Sequence, residues 1–254
     1  MVLLLIDIDA LLRRGCESHA LIGIGASKGL FESTRERLAS KACPIELVRF
    51  DSPEELVHAL SSDAIDAAVR GTLPSSPLLS ELKSSFDLSE IMRTAIMRTL
   101  DGRTFMLTPV GIDEGKNAFL KISLIRATLE YFSRIGWSLS VGVLSKGRMD
   151  DVHRGDEIER SITEGEELVE ALRVEGVDAE HYAILLEEAL EERDIIVAPD
   201  GISGNLIFRA LHLVGGCEAF GAPIVNIGAI FVDTSRAKSD FSDAVMLAAG
   251  LKLI

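Results

Sequence analysis

The stretch 194–238, DIIVAPDGISGNLIFRALHLVGGCEAFGAPIVNIGAIFVDTSRAK, constrains the fold more than any other. Ile195 to Ala198 is a short apolar run closed by Pro199 and Asp200, with no polar alternation, the pattern of a strand buried on both faces of a parallel sheet. Gly201 and Gly204 then bracket a turn, and Asn205 stands where an N-cap belongs, ahead of the periodic residues Leu206, Ile207, Ala210, Leu211 and Val214 of a helix that ends at Gly215-Gly216. A second apolar strand at 229–232 delivers Asp233-Thr234-Ser235-Arg236 to a turn, followed by another helix start near 239–242. Glycines ahead of a helix let backbone N–H groups approach a ligand closely, and the helix dipole there favours an anion.

The rest of the chain alternates in the same way. Strands are expected at 20–24, 45–50 and 64–69, with helices at 30–40 and from Pro53; such βαβ units connect right-handedly and build a parallel sheet. The run 1–14 is apolar at many phases and suits a buried helix or strand equally. Gly23, Gly25 and Gly29 form a glycine-rich turn; a dinucleotide fingerprint would need its third glycine elsewhere and an acid that Asp51 matches only loosely, so a plain strand-to-helix turn is the simpler reading. Arg70-Gly71-Thr72 and Ser75-Ser76 follow the third strand at its C-terminal end, the side on which open α/β sheets bind ligands, although a solvated Ser/Pro loop would read the same. Leu100-Asp101-Gly102 signals a hairpin between β-rich runs at 91–99 and 103–110. A long helix at 116–135 leads into a strand at 137–144 that ends in Ser145-Lys146-Gly147-Arg148. A polar loop with His153 and two acidic helices, 156–173 and 179–192, return the chain to Asp194; the glutamates read as solvated faces and His153 as a loop residue.

Pro199-Asp200, Gly204-Asn205 and the Thr234-Ser235-Arg236 turn, in this order and spacing, resemble the C-terminal signature of the phosphate acetyl/butyryltransferase family, and the chain is more similar still to a methanogen-specific, methyltransferase-related branch of it. The resemblance implies two three-layer αβα domains around an interdomain cleft, as in the isocitrate and isopropylmalate dehydrogenase-like superfamily. It gives 1–115 plus 233–254 to one domain and 116–232 to the other. It further implies that Ser235 and Arg236, from the first domain, face Gly204, Asn205, Ser145, Lys146, Gly147 and Arg148 across the cleft, with Gly71, Ser75 and Ser76 nearby, and that the ligand is small, anionic and phosphate-bearing.

Three functions are expected from it: a transferase linked to methanogenesis, phosphate-dependent acyl transfer with coenzyme A or phosphate as substrate, or a non-catalytic ligand-sensing subunit. The family's acyltransferases carry an arginine one helical turn beyond the Gly71 turn, where this chain has Leu79, Ser80 and Glu81, with Arg70 as the available replacement. They also carry an aspartate six residues after the signature arginine, where this chain has Ser242, with Asp243 one further on; no catalytic residue is assigned. Arg236 itself has an alternative use, an ion pair to Asp233 or Asp240. The resemblance also implies a homodimer, and other methyltransferase subunits as partners.

Composition narrows the partners. With Lys+Arg 26 against Asp+Glu 40 the net charge is −14, the wrong sign for long-range attraction to nucleic acid or an anionic membrane, so an anionic ligand must be held by local basic groups. No aspartate cluster suited to a metal and no Cys/His spacing suited to zinc is present, and Cys16, Cys43 and Cys217 read as reduced, mostly buried thiols of a cytoplasmic protein. The apolar run 2–6 is broken by Asp7 and Asp9, which fits neither a signal peptide nor a membrane span.

Overall fold

The computed structural model describes residues 6–252, and the chain divides into a central unit, residues 92–219, and a terminal unit, residues 7–91 with 220–252. Of the run 1–14, residues 1–5 lie outside the described residues; the remainder belongs to a helix, α1 (Ile8–Cys16), capped by Asp7, whose Oδ1 accepts from the Ala10 N–H at 2.8 Å. The terminal unit continues with β1 (Leu21–Gly25), α2 (Lys28–Ser40), β2 (Glu46–Phe50), α3 (Pro53–Ser61), β3 (Ala67–Val69) and α4 (Ser75–Ser85). The central unit holds the hairpin β4 (Ala95–Arg98) and β5 (Thr104–Thr108), then α5 (Ala118–Ser133), β6 (Val141–Leu144), α6 (Asp156–Val174), β7 (Ala179–Ala183), α7 (Leu186–Glu192), β8 (Ile195–Val197) and α8 (Gly201–Arg209). The chain returns through β9 (Glu218–Pro223), β10 (Phe231–Asp233) and α9 (Ser242–Lys252).

In the terminal unit the strand order is β2-β1-β3-β10-β9, parallel except for β9. β10 sets Phe231 and Val232 beside Ala68 and Val69 of β3, so the last strand of the chain completes the first sheet. Side-chain alternation assigns the two faces. Ala68 and Phe231 pack with Leu56, Leu60, Leu78 and Leu82 of α3 and α4. Opposite them α9 lies against β1, β3 and β10, with α1 and α2 beyond it. A Cβ on Gly15 would stand 1.9 Å from the Met246 carbonyl oxygen, and one on Gly250 2.5 Å from that of Leu11, so α1 and α9 meet nearly backbone to backbone.

In the central unit the order is β4-β5-β8-β6-β7, with only β4 antiparallel. β5 runs parallel to β8, placing Met106, Leu107 and Thr108 opposite Ile195, Ile196 and Val197. The hairpin is therefore a piece of the central sheet, and the units divide at 91/92 and 219/220, where the resemblance implies boundaries at 115 and 232. β8 is buried throughout and sits between β5 and β6, as its unbroken apolar run predicts.

Two elements and the state of the cysteines differ from expectation. The segment 179–192 is a strand and a short helix, because Ala179 pairs with Val141 at the sheet edge and Ala183 turns the chain at φ 53°. The strand expected at 137–144 begins only at Val141; Trp137 instead stacks on Phe132 at 5.5 Å. Cys16 and Cys43 are joined in a disulfide, and only Cys217, buried, is a free thiol. Spacing could not show that pair: its members stand 27 positions apart, and the chain between them folds as a strand and a helix that bring the ends together.

Candidate functional site

The residues singled out from the sequence fall into two groups, one on each unit. In the terminal unit, the turns after the adjacent parallel strands β3 and β10 lie side by side. Thr234 Oγ1 donates to the Gly71 carbonyl at 3.1 Å, and the Arg70 guanidinium donates to Asp233 Oδ1, to the Thr234 carbonyl and, at 3.2 Å, to the Leu73 carbonyl. Arg70 and Asp233 are both buried, so this cation is spent on holding the two turns together rather than offered to a ligand. Gly71, at φ 61°, takes a left-handed conformation, and a Cβ there would come 2.1 Å from the Gly25 carbonyl oxygen; only glycine lets the turn close against β1. Ser75 and Ser76 are not in a loop but form the first turn of α4, whose start has no side-chain cap.

Ser235 and Arg236 stand at the tip of the second turn, where Ser235 Oγ accepts from the Ala237 N–H at 3.3 Å. Arg236 is exposed and makes no ion pair among the described residues. The two acids that would have neutralised it are engaged elsewhere: Asp233 binds Arg70, and Asp240 lies 3.6 Å from Arg37 and accepts from the Ser242 N–H and hydroxyl. A guanidinium without an ion pair among the described residues, in the turn after a strand of a parallel sheet, is suited to a tetrahedral anion.

In the central unit, the turns after β6 and β8 are joined by one lysine. Lys146 Nζ lies 2.7 Å from Glu157 Oε1 on α6 and 2.9 Å from Asp200 Oδ2, and these two carboxylates raise the pKa of the ammonium. Asp200 is the true N-cap of α8: its Oδ1 accepts from the Ser203 N–H at 2.8 Å. Burial alone would raise the Asp200 pKa, but the Ser203 N–H and the Lys146 ammonium outweigh it and hold the carboxyl at about 2. The helix thus begins one turn earlier than expected, and the assignment of Asn205 as the cap is corrected. Asn205 lies inside α8, its Nδ2 donating to the Val110 carbonyl at 2.9 Å, while a Cβ on Gly204 would stand 1.8 Å from the Pro109 carbonyl oxygen. Both residues seat α8 on the 109–111 segment.

The remainder of this group is similarly tied down. Ser145, buried, donates its hydroxyl to the Gly147 carbonyl at 3.0 Å and lies 3.0 Å from His181 Nε2. The Lys146 N–H donates to Ser161 Oγ at 3.1 Å, and the Arg148 N–H to Asp151 Oδ2 at 2.8 Å, leaving the Arg148 side chain exposed. Burial lowers the His181 pKa, opposed by Glu166, and Gly165 makes room for the ring: a Cβ there would lie 2.7 Å from Nε2. Sequence reasoning missed Lys121, at the head of the buried stripe Leu124, Ile125, Thr128 of α5. Its ammonium lies 2.8 Å from the Pro199 carbonyl oxygen and 3.1 Å from Glu164 Oε2; burial lowers its pKa and Glu164 partly restores it. A lysine at an apolar phase was the available signal. Among the described residues no group of three or more His, Cys, Asp and Glu side chains is placed to hold a metal ion, and no helix is long and apolar enough to cross a membrane.

No family model matches the chain. A protein of Methanosarcina barkeri named "Putative methyltransferase mtx subunit X" is 39% identical over 229 residues, covering 90% of this chain and 84% of that one. The chain belongs to the mtx subunit X family. Among solved structures, a branched-chain phosphotransacylase from Enterococcus faecalis matches with a TM-score of 0.70 at 16% identity, over 92% of this chain and 100% of that one. The EutD phosphotransacetylase of Staphylococcus aureus matches with a TM-score of 0.60 at 15% identity, over 96% of this chain and 99% of that one. At those identities the likeness is one of fold: this mtx subunit X family member has the α/β fold of the phosphotransacetylases.

Proposed function

We propose that the protein is a transferase-like subunit linked to methanogenesis that binds a small phosphate-bearing ligand at the Ser235-Arg236 turn, beside Gly71 and the α4 start at Ser75 and Ser76. The observation that carries this reading is the state of Arg236, exposed and without an ion pair among the described residues while Asp233 and Asp240 are engaged elsewhere. In a chain of net charge −14 an anion is retained only where fixed donors converge, and an arginine fork with backbone N–H groups is such a place. The names of its relatives support the methyl-transfer context and other methyltransferase subunits as partners. The fold supports a second reading, transfer of an acyl group between phosphate and coenzyme A, in which positioning and charge stabilisation do most of the catalysis.

A thermal-shift screen with phosphate, acyl phosphates, coenzyme A and methanogenic coenzymes selects the ligand, since binding to the native state raises its apparent stability. Arg236→Ala then removes the fork. A charge-assisted bond contributes about 1.5–3 kcal/mol, so calorimetric titration should show affinity weakened roughly tenfold to a hundredfold. The melting temperature should hardly change, because the side chain is exposed. Unchanged affinity sinks the proposal.

A further inference from the structure

We propose that Cys16 and Cys43 form a reversible thiol-disulfide clasp that controls how firmly α9 is held in the terminal unit. The pair closes a corner where three elements meet. Cys16 is the last residue of α1, Cys43 lies between α2 and β2, and their Cα atoms are 4.6 Å apart. Cys43 Sγ also lies 3.8 Å from Met246 Sδ, so the bridge rests on α9.

α9 is gripped from both sides of that bridge. On the α1 side Gly15 and Gly250 allow the two helix backbones to touch, and Arg14 Nη2 donates to the Gly250 carbonyl at 3.2 Å. On the α2 side Thr34 Oγ1 accepts from the Phe241 N–H at 3.2 Å, and Lys41 lies 3.2 Å from Asp243 Oδ1. These contacts leave α1 and α2 joined to each other, at this corner, through the covalent bridge. Opening it lets α1 swing away while α2 keeps the start of α9.

The two sulfurs differ in access. Cys16 is half-buried and Cys43 buried, so a small thiolate attacks Cys16 Sγ and expels Cys43 as the leaving thiolate, which takes the proton released by the incoming thiol. A second small thiol then attacks the mixed disulfide at its outer sulfur. The balance is one protein disulfide plus two small thiols giving two protein thiols and one small-molecule disulfide, with two electrons passing to the protein. Cys217, buried in the central unit, takes no part.

The test uses the full native chain. Purified in air, it should leave Cys16 and Cys43 unlabelled by iodoacetamide; after incubation with a small thiol and no denaturant both should label, Cys16 first. Reduction should lower the melting temperature by about 5–10 °C and speed hydrogen exchange in α1, the 41–45 segment and the last turns of α9, and reoxidation should restore all three. A Cys16→Ser/Cys43→Ser double variant should melt with the reduced protein and ignore the thiol. Labelling of both cysteines before reduction, reduction only in denaturant, or a double variant as stable as the oxidised protein each overturns the clasp.

Discussion

Asp200 closes an apolar strand, caps the following helix and answers a lysine, and these three tasks have one measurable consequence. Its pKa is depressed from 3.8 to about 2, so its stabilisation is complete above 3.8 and is lost as the pH falls through about 2. Asp200→Ala should cost about 1 kcal/mol at neutral pH, the usual worth of a lost cap. Urea midpoints of wild type and variant should then converge as the pH is lowered from about 4 toward 2. A constant gap would show that the carboxylate's charge contributes nothing there. Asp200 was legible as the end of a strand but not as a cap, because Asn205 offered a cap of equal quality one turn later; the choice depends on Lys146, 54 positions upstream, which holds the carboxylate beside the helix start. Arg70 escaped for the same reason, since Asp233 meets it only once β10 has come to lie beside β3.

At the scale of elements, the βα alternation and the central position of β8 were legible in apolar runs and punctuation, while the edge strand β7 was not. β7 reads Ala179-Glu-His-Tyr-Ala and is too polar to announce a strand; its pairing with β6 and the packing of His181 on Gly165 decide it. The glycines separate into those that are packed and those that are free. Gly204→Ala would drive a Cβ against the Pro109 carbonyl oxygen and should cost about 1–3 kcal/mol, the range for forced overpacking. Gly29→Ala, in the first turn of α2 with nothing within 4 Å of the new Cβ, should instead gain about 0.5 kcal/mol from backbone entropy. Denaturant unfolding of the two variants checks both signs. A mild Gly204→Ala would mean that α8 can lift off the 109–111 segment at little cost.

The whole molecule joins strong negative charge to an apolar helix surface, and the homodimer that the family resemblance implies is where the two compete. Ile202 and Leu206, one turn apart on α8, are 61% and 63% exposed, and Val214 beyond them is 87% exposed. Ile202 and Leu206 form a short apolar stripe on α8, and apolar area exposed in this way favours association. Each copy carries −14, so bringing two together is opposed by a repulsion that salt screens, with a Debye length of about 30 Å at 0.01 M falling to about 8 Å at 0.15 M. Hydrophobic contact is not weakened over that range. Light scattering at micromolar protein should therefore show a dimer fraction that rises with salt, the opposite of an interface held by ion pairs. Leu206→Asp adds a charge within the apolar stripe and should return the protein to monomer at every salt concentration with its fold intact, because the side chain is exposed in the single chain. A dimer that persists in Leu206→Asp would move the interface away from α8, and a monomer at all salt concentrations would remove the dimer altogether.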